Sequence, residues 1–165
     1  MPKVQFDTLP PTARVWVFGA AAPIQGAAAA RLNHLVDAHL RGWGAHGVPL
    51  VCASDWRDDR FLAVAVDEAA TDASGCSIDG LFRTLAGAEA DLGTSLVGGG
   101  AVFWRDASGG ILSTSRSAFV AAAARGDVQL DTSVFDTTVS TVGAWRERFE
   151  LPARESWHFR LVART

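Results

Sequence analysis

The sequence predicts an α+β fold with a ferredoxin-like βαββαβ core, an antiparallel sheet carrying two helices on one face, over residues 12–106. Two observations predict it. Strand-like and helix-like segments follow one another in that order. The first and third strands are also the doubly apolar ones, as the central strands of such a sheet are, with the second and fourth at its edges. Residues 111–165 read as an α/β extension of the same single domain, which spans residues 1–165.

Each element has its own signal. Val15, Trp16, Val17 and Phe18 make the first strand. Pro23 opens a helix to Trp43, with Leu32, Leu35, Val36, Leu40 and Trp43 at offsets 0, 3, 4, 8 and 11 on one stripe. Gly42, Gly44 and Gly47 stop it. The second strand covers 49–56, with Leu50, Cys52 and Trp56 on one parity. After the polar turn Arg57-Asp58-Asp59-Arg60, residues 61–66 form the third strand and end at Asp67-Glu68. A small-residue loop leads to a helix over 77–92, whose Ile78, Leu81, Phe82, Leu85 and Leu92 fall at offsets 0, 3, 4, 7 and 14. Ser77 is the expected N-cap and Gly93 the stop.

Residues 101–105 are the fourth strand, and Ser108-Gly109-Gly110 turns into a short fifth at Ile111-Leu112. A helix is expected over 113–125, an extended segment over 135–142, a short helix over 144–149 and a final strand over 157–162. With both helices on one sheet face, the other face, carrying Trp16 or Phe18 and part of the third strand, needs a cover. The C-terminal third supplies it, or a second subunit does in a homodimer through the sheet.

Composition excludes several classes. The chain has 165 residues, 48% hydrophobic and 20% charged, which is an ordinary globular balance. A net charge of −3 argues against a nucleic-acid binder. The apolar runs are too short for a membrane span, and residues 1–7 lack a signal-peptide core, so a cytoplasmic location is expected. The two cysteines, Cys52 and Cys76, are then expected to be reduced. There is no Gly-x4-Gly-Lys-Ser/Thr, Gly-x-Ser-x-Gly, His-Glu-x-x-His or Cys-x-x-Cys, and no Ca²⁺ loop, so no cofactor or metal is expected.

The segment Ala73-Ser74-Gly75-Cys76-Ser77-Ile78-Asp79 is the most unusual stretch. It puts Cys76 at a helix N-terminus, where free amides and the helix dipole favour an anion or a thiolate. Gly75, Cys76 and Ser77 are therefore candidate ligand-binding residues. The plainer reading makes Cys76 a filler, Ser77 a cap and Asp79 a first-turn acid. If Cys76 is a nucleophile, His46 or His158 is its candidate base, and Asp67 or Asp79 orients that base. Asp67 ends a buried strand just before the loop and is a further ligand-binding candidate, as is Trp157.

Other polar residues have simpler explanations. His34 and His39 are five apart and do not make a helical metal pair. Asp55, Asp58, Asp59, Glu68 and Asp72 fit turn chemistry. Of the six tryptophans, Trp16, Trp43 and Trp145 lie on core stripes, while Trp56, Trp104 and Trp157 lie near strand ends. Arg146, Arg148, Arg154, Arg160 and Arg164 make the C-terminal stretch mildly basic, a solvated face.

The chain resembles a family of uncharacterised bacterial proteins of about 160 residues. The resemblance rests on Arg14-Val15-Trp16; Trp43 with His46-Gly47; Asp67-Glu68; residues 73–79; Thr132, Val134 and Phe135; and Ser156-Trp157-His158. Some members carry the label "ABC transporter ATPase", which the missing phosphate-binding loop contradicts here. The resemblance implies no activity. It suggests that Cys76, Asp79, His46, Trp157 and His158 converge in space. Two functions follow as expectations. The first is a cytosolic domain binding a small anionic ligand or a protein partner near the start of its second helix. The alternative is a cysteine-nucleophile enzyme.

Overall fold

The computed structural model describes residues 3–69 and 73–163; Asp72 and Arg164 lie outside them. The fold is α+β with antiparallel sheets. Strand β1 (Arg14–Gly19) is followed by helix α1 (Gly26–Arg41), a small hairpin of β2 (Gly44–Ala45) and β3 (Val48–Pro49), then β4 (Val51–Arg57), β5 (Phe61–Asp67) and helix α2 (Gly75–Leu92). The second half contains β6 (Val102–Arg105), β7 (Ile111–Thr114), α3 (Arg116–Arg125), β8 (Ser133–Phe135), α4 (Val142–Glu147), β9 (Glu150–Pro152) and α5 (Phe159–Val162).

The first sheet has the order β1-β5-β4. These are the first, third and second strands of the expected core, in the expected order. Strand β5 is buried along almost its whole length, as its doubly apolar sequence requires. The β4–β5 hairpin turns through the three residues 58–60, with Asp58 (φ 53°) and Asp59 (φ 55°) both left-handed and the Arg60 N–H donating to the Arg57 carbonyl at 3.0 Å.

The expected fourth strand departs from the pattern. Strand β6 joins a second sheet, of order β7-β6-β8-β9, and leaves the edge of β1. Part of that edge is taken by Ser140 and Thr141: the Val15 N–H donates to the Ser140 carbonyl at 3.0 Å, and the Val142 N–H to the Ala13 carbonyl at 2.9 Å. The four-stranded ferredoxin-like sheet is therefore not formed.

Side-chain alternation stacks the two sheets between helices. On one face of the first sheet, Phe18, Leu62, Val64 and Val66 pack with Leu32, Val36 and Leu40 of α1 and Leu81 and Leu85 of α2. On its other face, Val15, Phe61, Ala63 and Ala65 meet Phe103 and Phe135 of the second sheet, with Val142, Trp145 and Phe149. The alternate residues of the second sheet, Val102, Trp104 and Val134, point away and pack on Phe119 and Ala122 of α3 and Leu161 and Val162 of α5. The layers thus run helices, sheet, sheet, helices.

This arrangement settles the covering question from within the chain. The C-terminal third occupies the second face of the first sheet, and that face carries Val15, not Trp16 or Phe18, which point toward the helices. No open sheet face remains there for a homodimer. Residues 135–142 are not one strand: Asp136 accepts from the Thr138 N–H at 2.9 Å and turns the chain after β8. Residues 157–162 form no strand either. The Leu161 N–H donates to the His158 carbonyl at 2.9 Å and starts α5.

Candidate functional site

Helix α2 begins at Gly75 and is capped by Ser74, whose Oγ accepts from the Ser77 N–H at 3.2 Å. Ser77, the expected cap, is instead a docking residue. Its hydroxyl donates to the Gly44 carbonyl at 2.9 Å, and its carbonyl accepts the indole N–H of Trp43 at 2.9 Å. Trp43 and Ser77 are both buried. The first turn of α2 is therefore fixed against the β2–β3 hairpin. That hairpin turns through His46 (φ 51°) and Gly47 (φ 80°), which places His46 beside the helix start.

The result is an open groove of about 440 Å³ lined by Gly44, His46, Ser74, Gly75, Cys76 and Ser77. Among the described residues, no carboxylate lines it. The N–H of Ser77 is used by the cap and that of Ile78 by the Ser74 carbonyl at 3.1 Å, while those of Gly75 and Cys76 have no partner among the described residues. Cys76 is exposed. Of the residues named from the sequence, Gly75, Cys76, Ser77 and His46 thus share one place. No hydrogen bond joins Cys76 Sγ to His46 among the described residues.

The remaining candidates lie elsewhere. Asp79 is exposed on α2 and does not line the groove. Asp67 Oδ1 accepts from the Ala69 N–H at 3.1 Å, a strand-end turn. Cys52 is buried in the first core, where burial pushes its thiol up to about 11.

His158 is fully buried and packs edge-on against Phe119 in the opposite half of the molecule. Its Nδ1 lies 2.8 Å from Ser156 Oγ, and its Nε2 has no partner among the described residues. Burial lowers its pKa to about 4. Trp157 stacks on it with ring centroids 3.8 Å apart and donates its indole N–H to Asp136 at 3.1 Å. The Ser-Trp-His segment therefore closes the second sheet's outer core. It does not meet the groove, and the convergence of all five residues suggested by the resemblance does not occur.

Comparison with known proteins adds no relative: no family model, no curated protein and no solved structure matches this chain. Among the described residues, no group of three or more His, Cys, Asp or Glu side chains is placed to hold a metal ion, and no helix is long and apolar enough to cross a membrane.

Sequence reasoning missed Ser74 and Gly44 as parts of the groove and Trp43 as the residue that braces it through Ser77. A signal was present for Ser74: it stands three residues before Ser77, the spacing of a side-chain cap. Nothing local in the sequence linked Trp43 to Ser77.

Proposed function

We propose that the protein is a cytoplasmic binding domain that takes a small anionic ligand, of phosphate or carboxylate chemistry, in the groove at the start of α2. The observation that carries this reading is the pair of N–H groups of Gly75 and Cys76, which among the described residues have no partner and belong to an open groove lined by no carboxylate. The dipole of an 18-residue helix adds to the attraction for negative charge. His46 lines the opposite wall and donates to the anion. The clamp from Trp43 and Ser77 pre-organises the amides, so little ordering is needed on binding.

Protection of Cys76 tests the reading. Inorganic phosphate or citrate, at constant ionic strength, slows iodoacetamide alkylation of Cys76 saturably. An alkylation rate unchanged up to tens of millimolar of either anion contradicts it.

A second reading is favoured by one observation: Cys76 and His46 line the same groove. In it Cys76 is a nucleophile with His46 as base, and His158 has no part because it is buried in another core. This reading requires Cys76 to be alkylated faster than free cysteine at neutral pH and to slow in His46→Ala. Equal rates in protein and free cysteine exclude it.

A further inference from the structure

A separate feature lies at the open edge of β1. Strand β1 bonds to β5 through its even residues, in the pairs Arg14↔Val66, Trp16↔Val64 and Phe18↔Leu62, and the Ala20 N–H continues the ladder on the Arg60 carbonyl at 2.7 Å. The backbone groups of Val15, Val17 and Gly19 therefore point to the opposite edge. The chain itself closes both ends of that edge: Val15 N–H donates to the Ser140 carbonyl at 3.0 Å, and Ala21 N–H to the Ser95 carbonyl at 3.0 Å. Between them, the outward N–H and C=O of Val17 and Gly19 have no partner among the described residues.

This short free ladder is the floor of a slot. Two adjoining hollows of about 240 Å³ each share Val17, Phe18, Phe82 and Thr137. The walls are apolar: Phe82, 39% exposed, stands edge-on to Phe18 at 5.1 Å, with Leu96 and Val97 beside it and Phe103 opposite. Gly19 keeps the floor low, since a Cβ there would lie 2.4 Å from the Phe103 ring. Arg14, at the Ser140 end, is among the described residues the one charged residue lining either hollow. Its guanidinium meets Glu68 through Nη1 at 3.5 Å and lies 4.6 Å over the Trp16 ring, while Nε and Nη2 have no hydrogen-bond partner among the described residues.

We propose that this slot binds the C-terminal end of an extended apolar peptide, added to β1 as a short antiparallel strand. Three arguments select this occupant. Both N–H and C=O of Val17, and again of Gly19, are offered outward, the pattern that opposite residues of an antiparallel strand satisfy in pairs. The free ladder takes a segment of about three residues, ~10 Å long, and its plugged ends favour a chain end over a strand that must pass through. Among the described residues lining the slot, the one charged side chain is positive and sits at the N-terminal end of β1, where an antiparallel peptide ends in its carboxylate. This site is independent of the groove at α2.

The test is a titration of ¹⁵N-labelled protein with acetyl-leucyl-valyl-leucine, as free acid and as C-terminal amide. The acid is expected to give saturable shifts centred on the Val17 and Gly19 amides and to slow their hydrogen exchange. The amide is expected to bind about fivefold more weakly, and Arg14→Gln to abolish that difference. Val17→Pro removes a slot donor that the β5 ladder does not use, and binding should be lost. If that variant fails to fold, Arg14→Gln and exchange on the wild type still decide. Absent shifts, shifts centred elsewhere, or equal affinity for acid and amide overturn the proposal. So does protection of Val17 and Gly19 that rises with protein concentration without peptide, which would assign the edge to a second copy.

Discussion

The indole N–H of Trp43 donates to the carbonyl oxygen of Ser77 at 2.9 Å, while the Ser77 hydroxyl donates back to the carbonyl of Gly44, the residue after Trp43, at 2.9 Å. These reciprocal bonds tie the segment after α1 to the first turn of α2. Gly75 and Cys76, just before Ser77 in the same first turn, line the groove. The position of the candidate site therefore depends on a contact between residues 34 apart in sequence.

Trp43→Phe keeps most of the ring's packing against Trp16 and His39 but loses the buried indole bond to the Ser77 carbonyl. The expected cost is about 1–2 kcal/mol, read from the midpoint of urea unfolding. Ser77→Ala loses the reciprocal bond and is expected to cost about 1 kcal/mol. The double variant should cost less than the sum, because both bonds hold one contact. Strict additivity would show that they act separately.

His158 gives the fold a dependence on pH. Burial depresses its pKa from 6.5 to about 4, so between these values the unfolded chain holds a proton that the folded protein refuses. Stability is fully present above pH 6.5 and falls as pH drops toward 4. The loss from this group is on the order of 3 kcal/mol at 1.36 kcal/mol per pH unit. His158→Gln should flatten this part of the profile of unfolding free energy against pH. An unchanged slope in the variant would remove His158 as its source.

Gly19→Ala forces a methyl group into the Phe103 ring, whose nearest atom lies 2.4 Å from the Cβ position. Phe103 is held edge-on to Phe61 at 5.1 Å and has little room to retreat. The expected destabilisation is about 1–3 kcal/mol by thermal or urea unfolding. Phe103→Leu in the same chain should recover part of it. A neutral Gly19→Ala would show that the two sheets slide apart easily.

The two thiols should differ sharply. Cys76 is exposed, whereas Cys52 is buried and its thiol is pushed up to about 11. A neutral-pH disulfide reagent is expected to react with one thiol in the native protein and with two after denaturation. Fast reaction of both in the native state would mean that the first core opens readily.

Much of the first half of the fold is legible in the sequence because burial there follows local periodicity. The run Phe61 to Val66 is apolar at every position and becomes the central, doubly covered strand. The stripes of α1 and α2 are likewise the faces that bury Leu32, Val36, Leu40, Leu81 and Leu85. The partner of β6 is not legible. Val102 and Trp104 alternate with Phe103, which says that both faces are covered but not which edge is paired. The cap of α2 is ambiguous for a related reason. Ser74 and Ser77 both suit the role, and the choice is made by the distant Gly44 carbonyl that claims the Ser77 hydroxyl. His158 misleads because a short apolar stretch, Leu161-Val162, fits a strand or one helical turn equally well.

The most direct measurement is the ¹⁵N–¹H spectrum of the protein during titration with inorganic phosphate at constant ionic strength. A bound anion should move the Gly75 and Cys76 amide resonances saturably and together, with smaller shifts at His46 and the Trp43 indole. Resonances of Gly75 and Cys76 that stay fixed while the anion reaches tens of millimolar would contradict a binding site at the start of α2.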